Sequence, residues 1–127
     1  MKNKKILNTQ PKEYKGVKYR STLEANCAKI FDAYNIKVAY EPFKITLLPK
    51  FKYNGITIRG ITYTPDFVGD NFIVECKGYP NDNWHDKRKW VMHYMLYKMP
   101  EYVFYEIHNT IQLKNLLNTL KNESKSI

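Results

Sequence analysis

The chain has few cysteines, few glycines and no long apolar run, and each shortage excludes a class of protein. It contains two cysteines, Cys27 and Cys76, and neither belongs to a CxxC or CxxH pair. A disulfide framework or a structural zinc site is therefore not expected. No segment approaches the roughly 18 to 20 apolar residues of a membrane span, and the N-terminus lacks the apolar stretch of a signal peptide. We therefore expect a soluble, cytoplasmic protein without a membrane partner.

Several catalytic signatures are also missing. There is no glycine-rich phosphate loop, which argues against a nucleotide cofactor. No nucleophilic triad is visible, and His85, His93 and His108 are scattered rather than clustered in an HExxH pattern. The chemistry must therefore come from other residue types.

Negative charge is in short supply as well. The 127 residues carry 21 Lys and Arg against 12 Asp and Glu, a formal net charge of +9. Such a surplus on a small protein predicts a nucleic-acid partner, although a basic, merely solvated surface would give the same count. The apolar content suffices for one domain over residues 1–127, with a basic arm at 1–13 and a frayed polar tail at 122–127.

Apolar periodicity predicts an α/β order of helix, three strands, helix, strand and helix. Ser21 and Glu24 fit a capping box at the start of the first helix, which Asn35 ends. Residues 36–48 are predicted as a strand, and Asn54-Gly55 predicts a hairpin turn in an antiparallel meander that runs to residue 77. Asp82 or Asn83 caps the second helix, residues 102–107 form a strand, and Thr110 caps the last helix.

The most informative segment joins Pro65-Asp66 to Glu75-Cys76-Lys77. A turn at Gly69–Asn71 folds the strand bearing Asp66 back onto the strand bearing Glu75 and Lys77, which share one face. Two carboxylates and a lysine suit Mg²⁺, with Mn²⁺ expected to substitute and the Cys76 carbonyl as a further oxygen ligand. Lys77 would orient or deprotonate a water, or neutralise charge in the transition state, so the motif predicts phosphodiester hydrolysis.

Each of these residues also has a structural explanation when it is taken alone. Pro65-Asp66 is a common way to open a turn, and Glu75 with Lys77 would form an ordinary solvated pair on a strand. Their occurrence together on successive strands favours the nuclease interpretation.

The sequence contains four ordered blocks: 19–25 (YRSTLEA), 40–42 (YEP), 63–67 (YTPDF) and 75–78 (ECKG). Together they resemble the PD-(D/E)xK nuclease superfamily and, more narrowly, phage-encoded endonuclease I type Holliday-junction resolvases. The resemblance covers about residues 14–108. It implies a restriction-endonuclease-like core with a mixed central sheet flanked by helices. It also implies a homodimer that cuts branched DNA during recombination inside a phage-infected bacterial cell, with the last helix or the arm as dimer contact.

The resemblance adds Glu24 to the catalytic and metal-binding set of Asp66, Glu75 and Lys77. The capping box explains Glu24 without catalysis, and both roles are compatible. Glu41 and Lys89 are additional candidates near the metal. DNA contacts are expected from six basic residues: Lys15, Lys18, Arg20, Lys87, Arg88 and Lys89. Aromatic residues of the second helix (Trp84, Trp90, Tyr94 and Tyr97) are expected mostly in the core.

Two alternatives remain open. One is a nuclease of other specificity, such as a flap, nicking or defence enzyme. The other is a nucleic-acid-binding protein without catalysis, although such a protein has no need for an acidic cluster within a basic surface.

Overall fold

The computed structural model describes residues 12–79 and 81–125. In this part the chain is an α/β protein with a mixed multi-strand sheet and three helices. None of these helices is both long and apolar enough to cross a bilayer. The elements are β1 (Lys12–Tyr14), β2 (Val17–Tyr19), α1 (Thr22–Ala33), β3 (Ala39–Tyr40), β4 (Ile45–Leu48), β5 (Phe51–Tyr53), β6 (Ile56–Ile58), β7 (Ile61–Tyr63), β8 (Phe67–Val68), β9 (Phe72–Cys76), α2 (Asp82–Lys98), β10 (Val103–Ile107) and α3 (Thr110–Lys125).

The described chain divides into two compact units. The described part of the terminal unit takes in residues 12–37, Cys76–Gly78 and residues 107–125. The central unit consists of Val38–Glu75 and Tyr79–Glu106. The basic arm falls largely at residues 1–11, which lie outside the described residues, and its last two residues belong to β1.

In the terminal unit a short hairpin precedes a capped helix. Lys15 and Gly16 take positive φ angles of 51° and 80° in the turn between β1 and β2, the backbone conformation that a two-residue hairpin turn requires. Ser21 Oγ accepts a hydrogen bond from Glu24 N–H at 3.1 Å, so Ser21 is the N-cap of α1. The capping box differs in its second half, because Glu24 Oε1 accepts from the N–H of Arg20 (3.3 Å).

Helices α1 and α3 pack together within this unit. Cys27 and Phe31 of α1 and Leu113 and Leu117 of α3 are fully or almost fully buried. Leu113 and Leu117 are therefore used inside this unit, whereas Ile111 of the same helix is 68% exposed, and a dimer contact through α3 stays a prediction. The helix also continues to Lys125, past Asn122, because its polar end is rich in residues that tolerate helical backbone.

The central unit contains most of the strands. Strands β10, β9, β8 and β3 are neighbours in that order in a four-stranded sheet, while β4 pairs with β7 and β5 with β6. Asn54 and Gly55 have φ angles of 51° and 76°, so the predicted two-residue hairpin turn is confirmed. The core of this unit contains Ile45, Tyr63, Val68, Ile73, Trp84, Val91 and Met95.

The predicted three-strand meander is wrong in detail. Among the described residues seven short strands, β3 to β9, lie between α1 and α2. The predicted strand over 36–48 is broken at Glu41, which adopts φ 47° before Pro42, since proline cannot donate to a sheet ladder. The N-caps of α2 and α3 are Asn81 and Asn109, each one residue before the helix, rather than the predicted residues. The Asn81 side chain accepts from Trp84 N–H (2.8 Å), and the Asn109 side chain accepts from Gln112 N–H (2.9 Å). Asparagine oxygens reach these free amides from outside the first turn.

Candidate functional site

Two carboxylates face each other across adjacent strands of the central unit. Strands β8 and β9 are antiparallel, with Phe67 opposite Val74 and Val68 opposite Ile73. Asp66 is a bend residue directly before β8, and extending this register by one residue sets it opposite Glu75. Directly opposed residues of an antiparallel pair project from the same face with their Cβ atoms about 5 Å apart. The predicted convergence of these two acids is therefore supported by the pairing of the strands.

Both carboxylates are buried. Asp66 and Glu75 are each only 4% exposed, and the neighbouring Pro65, Phe67 and Val74 are buried too. A solvated pair on a strand surface, the structural explanation offered by the sequence, is incompatible with this burial of Glu75. Because acidic side chains leave water only when other groups compensate for their charge, their environment must supply hydrogen bonds or cations.

Tyr63 is one such partner. Its hydroxyl donates to Glu75 Oε1 at 2.5 Å, and its ring lies 6.0 Å from that of Trp84 on α2 and 6.4 Å from that of Phe104 on β10. The ring is held by packing, so the hydroxyl in turn fixes one oxygen of the carboxylate. Sequence reasoning missed this role, and its only signal was the position of Tyr63 within the 63–67 block.

Glu41 is held beside Asp66 by its backbone. The Glu41 N–H donates to the Asp66 carbonyl oxygen at 2.9 Å, and Tyr40 pairs with Phe67 across β3 and β8. A left-handed conformation at a non-glycine residue before proline is uncommon, and such residues occur often at functional sites. The structure thus joins Glu41 to Asp66 through their backbones, and a role for the Glu41 side chain beside a metal stays a prediction of the sequence.

Glu24 and Lys77 belong to the terminal unit. Glu24 is 8% exposed and its carboxylate bonds to the start of α1, as described above. Lys77 directly follows β9; its N–H donates to the Ile107 carbonyl (2.9 Å), and its own carbonyl accepts from His108 Nδ1 (2.6 Å). The joint action of these two residues with Asp66 and Glu75 stays a prediction of the sequence.

The two cysteines are buried and no disulfide joins them. Their Sγ atoms lie 3.6 Å apart in the terminal unit, a contact that the sequence does not predict. The Cys76 side chain is thus engaged with Cys27, and metal binding by its backbone carbonyl stays a prediction of the sequence.

The six predicted DNA-binding residues differ in their present partners. Lys15 Nζ and the Tyr14 hydroxyl both donate to Asp32 Oδ2 at 2.6 Å, and Arg88 Nη1 lies 3.0 Å from Glu106 Oε1. The hydrogen bond to Asp32 raises the pKa of Lys15, and the bonds from Lys15 and Tyr14 lower the pKa of Asp32. Lys18, Arg20 and Lys89 have exposed side chains, and Lys87 is half-buried. Lys15 and Arg88 are therefore less available to phosphate than the sequence suggests.

The site fits a magnesium ion in its donor chemistry. Within residues 12–79 and 81–125, no group of three or more His, Cys, Asp or Glu side chains is arranged to hold a metal. Magnesium, however, is commonly held by one or two carboxylates together with water and substrate phosphate. The facing pair of Asp66 and Glu75 meets that smaller requirement.

No family model, no curated protein and no solved structure matches this chain. The function must therefore be argued from its own residues.

Proposed function

We propose that this protein is a Mg²⁺-dependent endodeoxyribonuclease. The observation that carries the proposal is the pair of almost fully buried acids, Asp66 directly before β8 and Glu75 on β9, whose positions oppose each other when the β8–β9 register is extended by one residue. Burying two acids on neighbouring segments is costly unless hydrogen bonds, a cation or a bound substrate compensate for their charge, and a metal ion that binds phosphate would use both carboxylates. Nucleic acid suits the basic remainder of the chain.

The roles of the residues follow from their chemistry. Asp66 and Glu75 would hold the ion, with the Cys76 carbonyl and Glu24 as further oxygen donors. When bound, Mg²⁺ lowers the pKa of a coordinated water and polarises the phosphoryl oxygen. Tyr63 keeps Glu75 oriented through its hydrogen bond. Lys77 would orient or deprotonate the attacking water, or neutralise the charge that develops on phosphorus oxygens.

The finer assignment, cleavage of four-way or otherwise branched DNA by a homodimer, rests on the resemblance of the four sequence blocks to phage junction resolvases. The alternatives predicted from the sequence, a nuclease of other specificity or a binder without catalysis, make different predictions in one assay.

The test is to incubate the purified full chain with four-way junction, flap and linear duplex DNA in Mg²⁺, Mn²⁺ or Ca²⁺. We expect cutting of the junction in Mg²⁺ and Mn²⁺ and binding without cutting in Ca²⁺, whose longer and looser coordination positions water poorly. Asp66→Asn should abolish cleavage and retain binding. Asp70→Asn is the matched control, because Asp70 is an exposed aspartate in the turn between the same strands.

Preferential cutting of flaps or duplex would support the nuclease assignment and contradict the assignment of branched junctions as the substrate. Absence of cutting on all three substrates in Mg²⁺ and Mn²⁺, with DNA binding intact, would instead favour the non-catalytic binder. Full cleavage activity of Asp66→Asn would contradict the assignment of Asp66 to the metal site.

A further inference from the structure

Helix α2 carries an open groove lined by aromatic and basic side chains. The groove has a volume of about 520 Å³ and belongs to the central unit. Its lining residues come from three successive turns of α2 and from β4: Leu47, Lys89, Trp90, His93, Tyr94, Tyr97 and Lys98. The pairs 89/90, 93/94 and 97/98 recur every four residues, so they form one continuous stripe along the helix.

Two aromatic rings of this stripe, Trp90 and Tyr97, are exposed, contrary to expectation, whereas Tyr94 packs half-buried against the core. Trp84 is buried, but Trp90 is 44% and Tyr97 is 68% exposed, and the His93 ring lies 4.9 Å from that of Tyr97. Leaving large rings in water forgoes the free energy that their burial would supply. Rings presented in this way therefore favour a ligand with a flat apolar face.

The charge of the groove identifies that ligand further. Lys89 and Lys98 stand at its two ends, both exposed, and none of its lining residues is acidic. The two lysines favour an anionic partner, and the exposed rings favour a partner that also carries flat rings. Trp90 and Tyr97 are seven residues apart, which is about 10 Å along a helix, so each ring has room for its own partner ring.

We infer that this groove binds unpaired nucleotides of single-stranded nucleic acid. The bases stack on Trp90 and Tyr97, and the phosphates lie against Lys89 and Lys98. A duplex hides the faces of its bases, so such a groove selects unpaired strands by stacking rather than by base sequence. The inference goes beyond the proposed cleavage reaction, because stacking requires neither a metal ion nor hydrolysis.

The test compares oligonucleotides that share a backbone length and differ in bases. Fluorescently labelled oligo(dT), oligo(U) and a fully abasic strand, each of about 12 nucleotides, are titrated with the full chain in EDTA. Anisotropy gives the affinities. We expect at least one base-bearing strand to bind about tenfold or more tightly than the abasic strand, and the comparison of dT with U shows which sugar is preferred.

Variants then assign the effect to the groove. Trp90→Ala and Tyr97→Ala should each remove most of the preference for bases, while Trp90→Phe retains it. Tyr53→Ala is the control, since Tyr53 is a 66% exposed aromatic residue on β5, outside the groove lining. Lys89→Ala should weaken the binding of base-bearing and abasic strands alike and reduce the salt slope. Unchanged melting temperatures show that each variant is folded.

Equal affinity for base-bearing and abasic strands would overturn the inference. So would a preference that survives both Trp90→Ala and Tyr97→Ala. Neither result touches the cleavage proposal, which is judged by Asp66→Asn, and loss of cleavage in that variant leaves the groove unaffected.

Discussion

The two units differ in the acids that they bury and in the aromatic surface that they expose. In the terminal unit the helices bury apolar residues such as Phe31 and Leu117, and its buried acid, Glu24, is bonded to the helix start. In the central unit two carboxylates are buried, Asp66 and the Glu75 that accepts from Tyr63, and the rings of Trp90 and Tyr97 lie exposed. Local rules of folding are broken mainly where function is expected, so the comparison favours the central unit as the seat of binding and chemistry.

The largest effect is expected from Glu75→Gln. This change removes a metal-binding charge and retains the shape of the side chain, so we expect cleavage to fall by two orders of magnitude or more. The free energy of unfolding should stay level or rise, because the buried charge that opposes folding is gone. Denaturant unfolding and single-turnover cleavage measure the two quantities.

Glu101→Gln is the matched control for this variant, since Glu101 is an exposed glutamate of the same unit. It should change neither quantity. If both variants cut at the parental rate, the comparison between units fails, because the buried acid would then be as dispensable as the exposed one.

Glu24→Gln tests whether Glu24, a residue of the terminal unit, takes part in metal-dependent cleavage. Glutamine can still accept the hydrogen bond from the Arg20 N–H, but it lacks the charge that a metal ligand supplies. We expect a melting temperature close to that of the parent and a fall in cleavage of about two orders of magnitude. Parental cleavage would restrict Glu24 to its capping role and leave Asp66, Glu75 and Lys77 as the site.

Features encoded by neighbouring residues could be predicted from the sequence. The turn at Asn54-Gly55, the N-cap at Ser21 and the turn at Gly69–Asn71 each depend on a few adjacent side chains, and each is present in the structure. The facing positions of Asp66 and Glu75 follow from that last turn.

Features that depend on distant packing could not be predicted. The hydrogen bond from the Glu41 N–H to the Asp66 carbonyl joins segments distant in sequence, and the hydrogen bond from Tyr63 to Glu75 depends on rings from α2 and β10. The exposure of Trp90 has the same cause, because its helical spacing resembles that of core residues, and only the tertiary structure shows which face of α2 is covered.

Tyr63→Phe tests whether the hydroxyl of Tyr63 positions Glu75 for metal binding. It removes the hydroxyl that donates to Glu75 while the packed ring stays, so Tyr63 is a positioning residue. We expect the Mg²⁺ concentration for half-maximal cleavage to rise by about tenfold, the scale on which groups that orient metal ligands act. Tyr53→Phe, on an exposed ring, should leave the Mg²⁺ dependence unchanged. An unaltered metal dependence in Tyr63→Phe would show that Glu75 needs no such support.

The smallest effect is expected at the surface of the terminal unit, from Asp32→Asn. Asp32 holds Lys15 through a 2.6 Å contact, and both side chains are well exposed. Its pKa is lowered from 3.8 by the bonds from Lys15 and Tyr14, so the stabilisation it gives is present above that value and is lost as the pH falls through the lowered pKa. Exposed pairs contribute little, so the melting temperature at neutral pH should hardly move.

Asp32→Asn should nevertheless change DNA binding, because it releases Lys15 toward phosphate. We expect a modestly higher affinity and a slope of log affinity against log salt that steepens by about one phosphate contact. Glu13→Gln is the control: it removes the same charge from an exposed residue of β1 without releasing Lys15. If both variants raise the affinity equally and neither steepens the slope, net charge alone acts and Lys15 does not contact DNA. A steeper slope in Asp32→Asn alone would assign Lys15 to the DNA-binding surface and show that its ion pair competes with phosphate for the same ammonium group.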